Sequence, residues 1–188
     1  VSMLQPNEIL VDNEDEGFST TFNNKVSLLH RLIVKKEETD LKYKGFNSWR
    51  PPLNWTNTTN SGFYGHYVRS AYYIKSGTGE QSATWTIPVK ETGHYDVFVY
   101  VYPMGGRRGP GMGRGGPGGG QQQEAGEYHY FITHDDGVTE QTLQLQGVEQ
   151  GWNSLGAFYL SPGKAKVVLT DKSAAQTVIA DAVKVVKN

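Results

Sequence analysis

Ala83-Thr84-Trp85-Thr86-Ile87-Pro88-Val89 places an apolar side chain at every second position, with Thr84, Thr86 and Pro88 between them. Successive side chains of a strand point to opposite faces. This alternation therefore reads as a strand with one face in a core and the other in water. A little further on, Tyr95 to Tyr102 is apolar on both faces, the pattern of a central strand covered on both sides. Neither stretch has the three-to-four-residue period of a helix.

Outward from this pair, Tyr67–Ile74, Tyr128–His134, Thr139–Leu145, Ala157–Leu160, Ala165–Thr170 and Val178–Val186 also read as strands. Asp136-Gly137 and Pro162-Gly163 are turn signals between them. Ile9 to Val11 opens a first strand, ahead of an acidic turn from Asp12 to Glu16 that ends at Gly17-Phe18. Strands follow one another at short intervals with no helices alternating. That predicts an all-β sandwich or jelly roll rather than a parallel α/β sheet. Residues 1–8 read as a lead-in and 9–188 as a single β-sandwich domain.

Two segments fall outside this pattern. In residues 25–38, Leu28, Leu29, Leu32 and Ile33 form an apolar stripe between charged flanks, which predicts one short helix; the Val-Lys-Lys run there equally fits a strand end. Residues 104–126 are rich in Gly and Arg and bury too little apolar surface to offset their chain entropy, so they read as a surface loop. Arg107, Arg108 and Arg114 could meet phosphates. Three arginines without interleaved aromatics make a weak nucleic-acid footprint, and the segment reads as a tolerated loop expansion.

The 188 residues carry a formal net charge of −1, so no global field favours nucleic acid or an acidic membrane. There is no cysteine, which excludes disulfides, thiol nucleophiles and Cys-based zinc sites. No apolar run reaches the roughly 18 residues needed to span a bilayer, and no signal peptide is visible. The opening Val1-Ser2-Met3-Leu4 reads as a processed or excised fragment of a longer protein.

No catalytic constellation emerges, and no catalytic residue is assigned. The five histidines (His30, His66, His94, His129 and His134) lack zinc spacing. His134-Asp135-Asp136-Gly137 has the chemistry of a hairpin turn. Gly77-Thr78-Gly79-Glu80 lacks the Lys-Ser/Thr of a phosphate loop, and no GxSxG elbow occurs.

Asp181 is the polar residue that most needs an explanation. It shares a strand face with Ile179, Val183 and Val185, and an isolated buried carboxylate is very costly. It would be satisfied by backbone or ring donors as a structural lock. Alternatively it would join Asp12 and Asp15 around a structural calcium ion, if the first and last strands lie side by side.

Residues 43–62 read as an aromatic, Pro- and Asn/Thr-rich loop, ending Asn57-Thr58-Thr59-Asn60-Ser61-Gly62. Trp85 and Trp152 read as core. Trp49, Trp55, Tyr64 and Tyr67, beside Asn54, Asn57, Asn60 and Arg69, form a candidate sugar platform, since flat aromatics stack on the C–H faces of sugar rings. The competing reading makes these aromatics a small core beneath the loop.

The motifs Val11–Phe18, Gly62-Phe63-Tyr64-Gly65-His66-Tyr67-Val68-Arg69, Ala83–Pro88, Gly151-Trp152-Asn153-Ser154-Leu155-Gly156 and Val178–Val183 together resemble the golvesin and xanthan-lyase carbohydrate-binding-like domain. Trp49–Thr56 and Phe63–Tyr73 are similar to bacterial proteins carrying the xanthan-lyase name. The resemblance covers about residues 9–187. It implies a two-sheet jelly-roll sandwich of galactose-binding-like type, secreted, periplasmic or on the cell surface. Such a module would bind polysaccharide or oligosaccharide and assist a catalytic domain of the same parent protein. The expected function is a non-catalytic carbohydrate-binding accessory module. A structural or protein-interaction module, with a patch of Trp49, Trp55 and Tyr64 covered by its parent, is the first alternative. A polysaccharide lyase or hydrolase in its own right is the second.

Overall fold

The computed structural model describes residues 7–21, 42–102 and 126–188, and their regular structure is twelve strands with no helix. In chain order these are β1 (Glu8–Val11), β2 (Phe18–Thr20), β3 (Thr56–Thr59), β4 (Ser70–Lys75), β5 (Ser82–Thr86), β6 (Gly93–Val101), β7 (Glu127–His134), β8 (Gly137–Gln144), β9 (Gly151–Leu160), β10 (Lys166–Thr170), β11 (Thr177–Ala180) and β12 (Val183–Lys187). The helix expected within 25–38 lies outside the described residues. So do residues 1–6 and the Gly/Arg stretch apart from Gly126.

The strands form antiparallel sheets in the orders β1-β12-β6-β9, β2-β5-β10-β7-β8 and β11-β4-β3. The all-β sandwich expected from the alternation is what the chain forms. Ala83 and Trp85 of β5 are buried, and the same face continues into buried Ile87 and Val89. β6 is central, paired with β12 on one side and β9 on the other.

The core lies between the inward faces of the two larger sheets. Tyr95, Val97, Val99 and Val101 of β6 and Val183 and Val185 of β12 come from one sheet. Trp85, Val167, Leu169, Tyr130 and Ile132 come from the other. Each fully buried side chain of this size contributes on the order of 1.5–3 kcal/mol. The small sheet is covered on both faces. Ile74 and Val178 enter the main core, while Phe63, Ala71, Tyr73 and Ile179 form a second cluster with Phe46 and Tyr102.

Three local departures from the expected pattern shape the site. The stretch read as one strand from Val178 to Val186 breaks at Asp181-Ala182: β11 pairs with β4, and β12 crosses to β6 and β1. Both carbonyls at this corner are used. Trp85 Nε1 donates to Asp181 O at 3.2 Å, and Tyr100 N donates to Ala182 O at 2.8 Å. Thr56–Thr59, within the Asn/Thr-rich run read as loop, is instead β3, because its backbone pairs with β4. β4 begins at Ser70, so Tyr67 to Arg69 belong to the loop before it.

The Gly151–Gly156 motif is the start of β9. There the register against β6 slips, so that Val97 faces Gly156 and Phe98 faces Ser154. The extra residue, Leu155, is buried, and Gly156 takes the positive φ of 113°. Trp152, read as core, is half-buried on the outer face of this sheet.

Candidate functional site

β3 and β4 pair from Thr56↔Tyr73 to Thr59↔Ser70, and the chain between them, 60–69, forms an open loop. Its first half is tied down. Asn60 Oδ1 accepts from Gly62 N at 3.0 Å, and Asn60 O accepts from Phe63 N at 3.1 Å. Gln150 Nε2 donates to Gly62 O at 2.8 Å, and Phe63 sinks into the second cluster. Tyr64 N donates to Asp181 Oδ2 at 3.0 Å, so the last-strand corner holds this loop.

Gly65 then turns the chain with φ of 149°, and a Cβ there would lie 1.8 Å from Val68 O. Only glycine fits such an approach. Beyond it, Tyr67, Val68 and Arg69 face back across Thr59, Asn60 and Ser61. These six residues line an open groove of about 480 Å³.

Tyr67 is 102 % exposed on this groove. Arg69 Nη1 donates to Ser61 O at 2.7 Å, which fixes one end of the guanidinium. Among the described residues, Asn60 Nδ2 and the other Arg69 nitrogens have no hydrogen-bond partner. The lining thus offers hydroxyls, an amide, an aromatic ring and one cation.

Of the residues expected around a sugar platform, the structure brings Asn60, Tyr67 and Arg69 together on the groove. Trp55 corrects the expectation: it is 8 % exposed within the main core and offers no platform. The patch of Trp49, Trp55 and Tyr64 that the protein-interaction alternative called for is not formed either, because Trp55 is buried. Asn54 is half-buried, its carbonyl accepting from Thr56 Oγ1 at 2.9 Å. Trp49 is 85 % exposed, but it sits on a turn closed by Asn47 Oδ1 and does not line the groove.

Tyr64 is half-buried against Tyr100 and Trp152, at ring separations of 5.5 and 5.2 Å. Thr59, Ser61 and Val68 were missed. Once Thr56–Thr59 is recognised as a strand, the ends of the hairpin it forms with β4 become visible.

Of the acidic residues expected around an ion, Asp12 and Asp15 take part in hydrogen bonds within their own turn, while Asp181 Oδ1 is buried without a partner among the described residues. Asp15 Oδ2 accepts from Asp12 N at 2.8 Å, and Asp12 Oδ1 accepts from Asn13 N at 2.7 Å. Glu14 accepts from Lys42, from Asn57 Nδ2 at 3.1 Å and from Ser70 Oγ at 2.9 Å, which pins the acidic turn onto β3 and β4. Burial pulls Glu14 up, but the hydrogen bonds from Lys42, Asn57 and Ser70 outweigh it and hold the carboxyl below its usual range.

Burial pushes Asp12 up to about 6 against its bond from Asn13, with Asp15 and Glu14 adding to the rise. Asp181 is 2 % exposed, and burial drives it well above the usual carboxylate range. The Tyr64 N–H opposes this, and Asp12 reinforces it. Among the described residues, no group of three or more His, Asp or Glu side chains is arranged to hold a metal ion.

The His134-Asp135-Asp136-Gly137 motif closes the β7–β8 hairpin. His134 Nε2 lies 2.8 Å from Thr139 Oγ1, and Asp135 Oδ2 accepts from Ser161 Oγ.

Residues 119–187 match the family model of the Golvesin C-terminal domain. No curated protein matches the chain. Among solved structures, Paenibacillus xanthan lyase matches 100 % of this chain with a TM-score of 0.62 and 22 % identity. The K1 cleaved adhesin domain of Lys-gingipain from Porphyromonas gingivalis matches 96 % of this chain and 98 % of its own length, with a TM-score of 0.42 and 12 % identity. The golvesin and xanthan-lyase resemblance of the motifs therefore holds, in sequence over 119–187 and in fold over the whole chain. The chain spans 14 % of the length of that lyase.

Proposed function

We propose that this chain is a non-catalytic accessory module that binds polysaccharide through the groove between Thr59–Ser61 and Tyr67–Arg69. The observation that carries the reading is the exposure of the Tyr67 ring on a concave surface, beside Arg69, Asn60 and two hydroxyl side chains. A sugar ring needs an apolar face to stack on and donors or acceptors for its hydroxyls. An aromatic that exposes its ring and costs little rotamer entropy to fix is suited to the first task. Single exposed aromatics are common on protein surfaces, and Trp49 is one; what sets Tyr67 apart is its place on a groove lined by polar side chains and a cation.

The module belongs to an exported protein, secreted, periplasmic or on the cell surface, whose catalytic domain it holds near a polymer by raising its effective concentration. This follows what the golvesin and xanthan-lyase resemblance implies, and the match to a small part of a lyase supports it.

Affinity gel electrophoresis against a panel of soluble plant, algal and bacterial polysaccharides tests the proposal. The expected result is retardation by at least one polymer, lost in Tyr67→Ala and kept in Trp49→Ala. Retardation that survives Tyr67→Ala, or none on any polymer, overturns it.

A further inference from the structure

We infer that the groove selects sugars bearing a carboxylate, the uronic acid residues of acidic polysaccharides, with Arg69 as the anchoring cation. This rests on the carbohydrate reading of the same groove. Arg69 is the one charged residue among the six that line it, and no acidic side chain lines it. Several other cations of the chain are already matched: Lys42 pairs with Glu14, Lys184 with Glu8 at 2.8 Å, and Lys187 with Glu91. Among the described residues, Arg69 has no carboxylate partner.

Its single side-chain bond, Nη1 to Ser61 O, uses one nitrogen and orients the plane. The remaining nitrogens of the planar fork are left for a ligand. That geometry suits a two-oxygen anion, which a guanidinium meets with two parallel hydrogen bonds. A neutral sugar would instead leave the cation facing hydroxyls, which accept more weakly.

The neighbouring groups complete the recognition of a uronate ring. Tyr67 supplies a face for the ring carbons. Asn60 Nδ2 and the Thr59 and Ser61 hydroxyls supply donors and acceptors for its hydroxyls. The carboxylate of a uronate projects from the ring edge, so stacking on Tyr67 and pairing with Arg69 are compatible with one another.

The test pairs polygalacturonate, alginate and glucuronan with their carboxyl-reduced, neutral forms. Reduction keeps the glycosidic backbone and turns each carboxylate into a neutral hydroxymethyl group. Affinities are read by gel retardation and isothermal titration. The wild-type chain should bind at least one acid form roughly tenfold tighter than its reduced partner, in line with a charge-assisted hydrogen bond. The preference should weaken as salt is added. Arg69→Gln should erase the preference, and Arg69→Lys should keep part of it.

Equal affinity for acid and reduced forms would overturn the inference and leave the groove as a neutral-sugar site. A preference that persists in Arg69→Gln would also overturn it, because the anion would then be held elsewhere. No retention of these or any other polymers would remove the underlying carbohydrate reading itself. The wild-type comparison of acid and reduced polymers decides the charge question even if a variant misfolds.

Discussion

Two aromatic clusters of the same chain treat their rings in opposite ways. On the outer face of the β6 sheet, Trp152 is met edge-on by Tyr64 and Tyr100, and Lys184 Nζ lies 4.8 Å from its ring centre. Lys184 is itself held by Glu8 and also lies over Phe98. Every ring there is engaged within the protein. Only a few residues along the same loop from Tyr64, Tyr67 touches little besides His66, at a ring separation of 6.3 Å, and stands in solvent. An aromatic side chain is available to a ligand when its faces are unspent, and residue type alone does not decide that. The hinge between the two conditions is Gly65.

The variant expected to break this contrast most severely is Gly65→Ala. A Cβ at that position would overlap the Val68 carbonyl, and the positive φ penalises any L side chain. Backbone cannot give way as a flexible side-chain end would. The loop must rearrange, and the expected outcome is loss of glycan retention together with a destabilisation of about 2–4 kcal/mol. Urea melts and affinity gels read both; unchanged retention would mean that the groove does not depend on this turn.

Next in size is Trp152→Ala, which empties the engaged cluster. Fully buried tryptophans cost about 3–5 kcal/mol on truncation. Trp152 is half-buried, so the expected loss is about 2 kcal/mol, from packing and the ammonium–ring contact together. A cycle with Tyr64→Ala should be non-additive because the two rings touch. Additive losses would show that the cluster is a set of independent contacts.

Asp181 sharpens the comparison from beneath, since its carboxyl holds the anchored half of the loop through Tyr64 N–H. Its folded-state pKa lies above its unfolded one, as does that of Asp12 at about 6. Their stabilising effect is therefore complete below the unfolded value of 3.8 and is lost as pH rises through the folded values. Glu14 acts in the opposite sense, protecting the fold above 4.5 and ceasing to do so as pH falls through its lowered value.

The wild-type chain should accordingly melt a few °C lower at about pH 8 than at about pH 5. Asp181→Asn, which keeps an acceptor for Tyr64, should reduce that slope and leave the part carried by Asp12. Thermal melts across this range measure it. The same melts with added calcium or with a chelator should coincide. A rise in melting temperature with calcium at high pH would mean that an ion, rather than a proton, offsets these carboxyls.

The strands were legible because alternation is a local property. Ala83, Trp85, Ile87 and Val89 announce their face whatever they pair with. What stayed hidden depends on partners distant in sequence. The break at Asp181-Ala182 arises because β4 claims β11 while β6 claims β12, and nothing within Val178–Val186 marks it except the polar residue itself. Trp55 looked like a surface ring because its loop is polar. It is buried in the same cluster as Ile74 and Val178, residues far from it in sequence. In Gly62–Arg69, Tyr64 and Tyr67 look alike as letters. The difference lies in one backbone angle at Gly65 and in a hydrogen bond to a residue 117 positions away.

The smallest expected effect on stability is the one that isolates the free ring. Tyr67 is fully exposed and makes no hydrogen bond within the described residues, so Tyr67→Ala should leave the unfolding free energy within about 0.5 kcal/mol of wild type. The same substitution should nonetheless remove glycan retention, because it deletes the face on which a sugar would stack. Tyr67→Phe keeps that face and drops only the hydroxyl, so it should retain most of the binding. If Phe fails as Ala does, the hydroxyl rather than the ring makes the contact. If both variants bind as wild type does, the exposed ring is idle, and the contrast with Trp152 is one of packing alone.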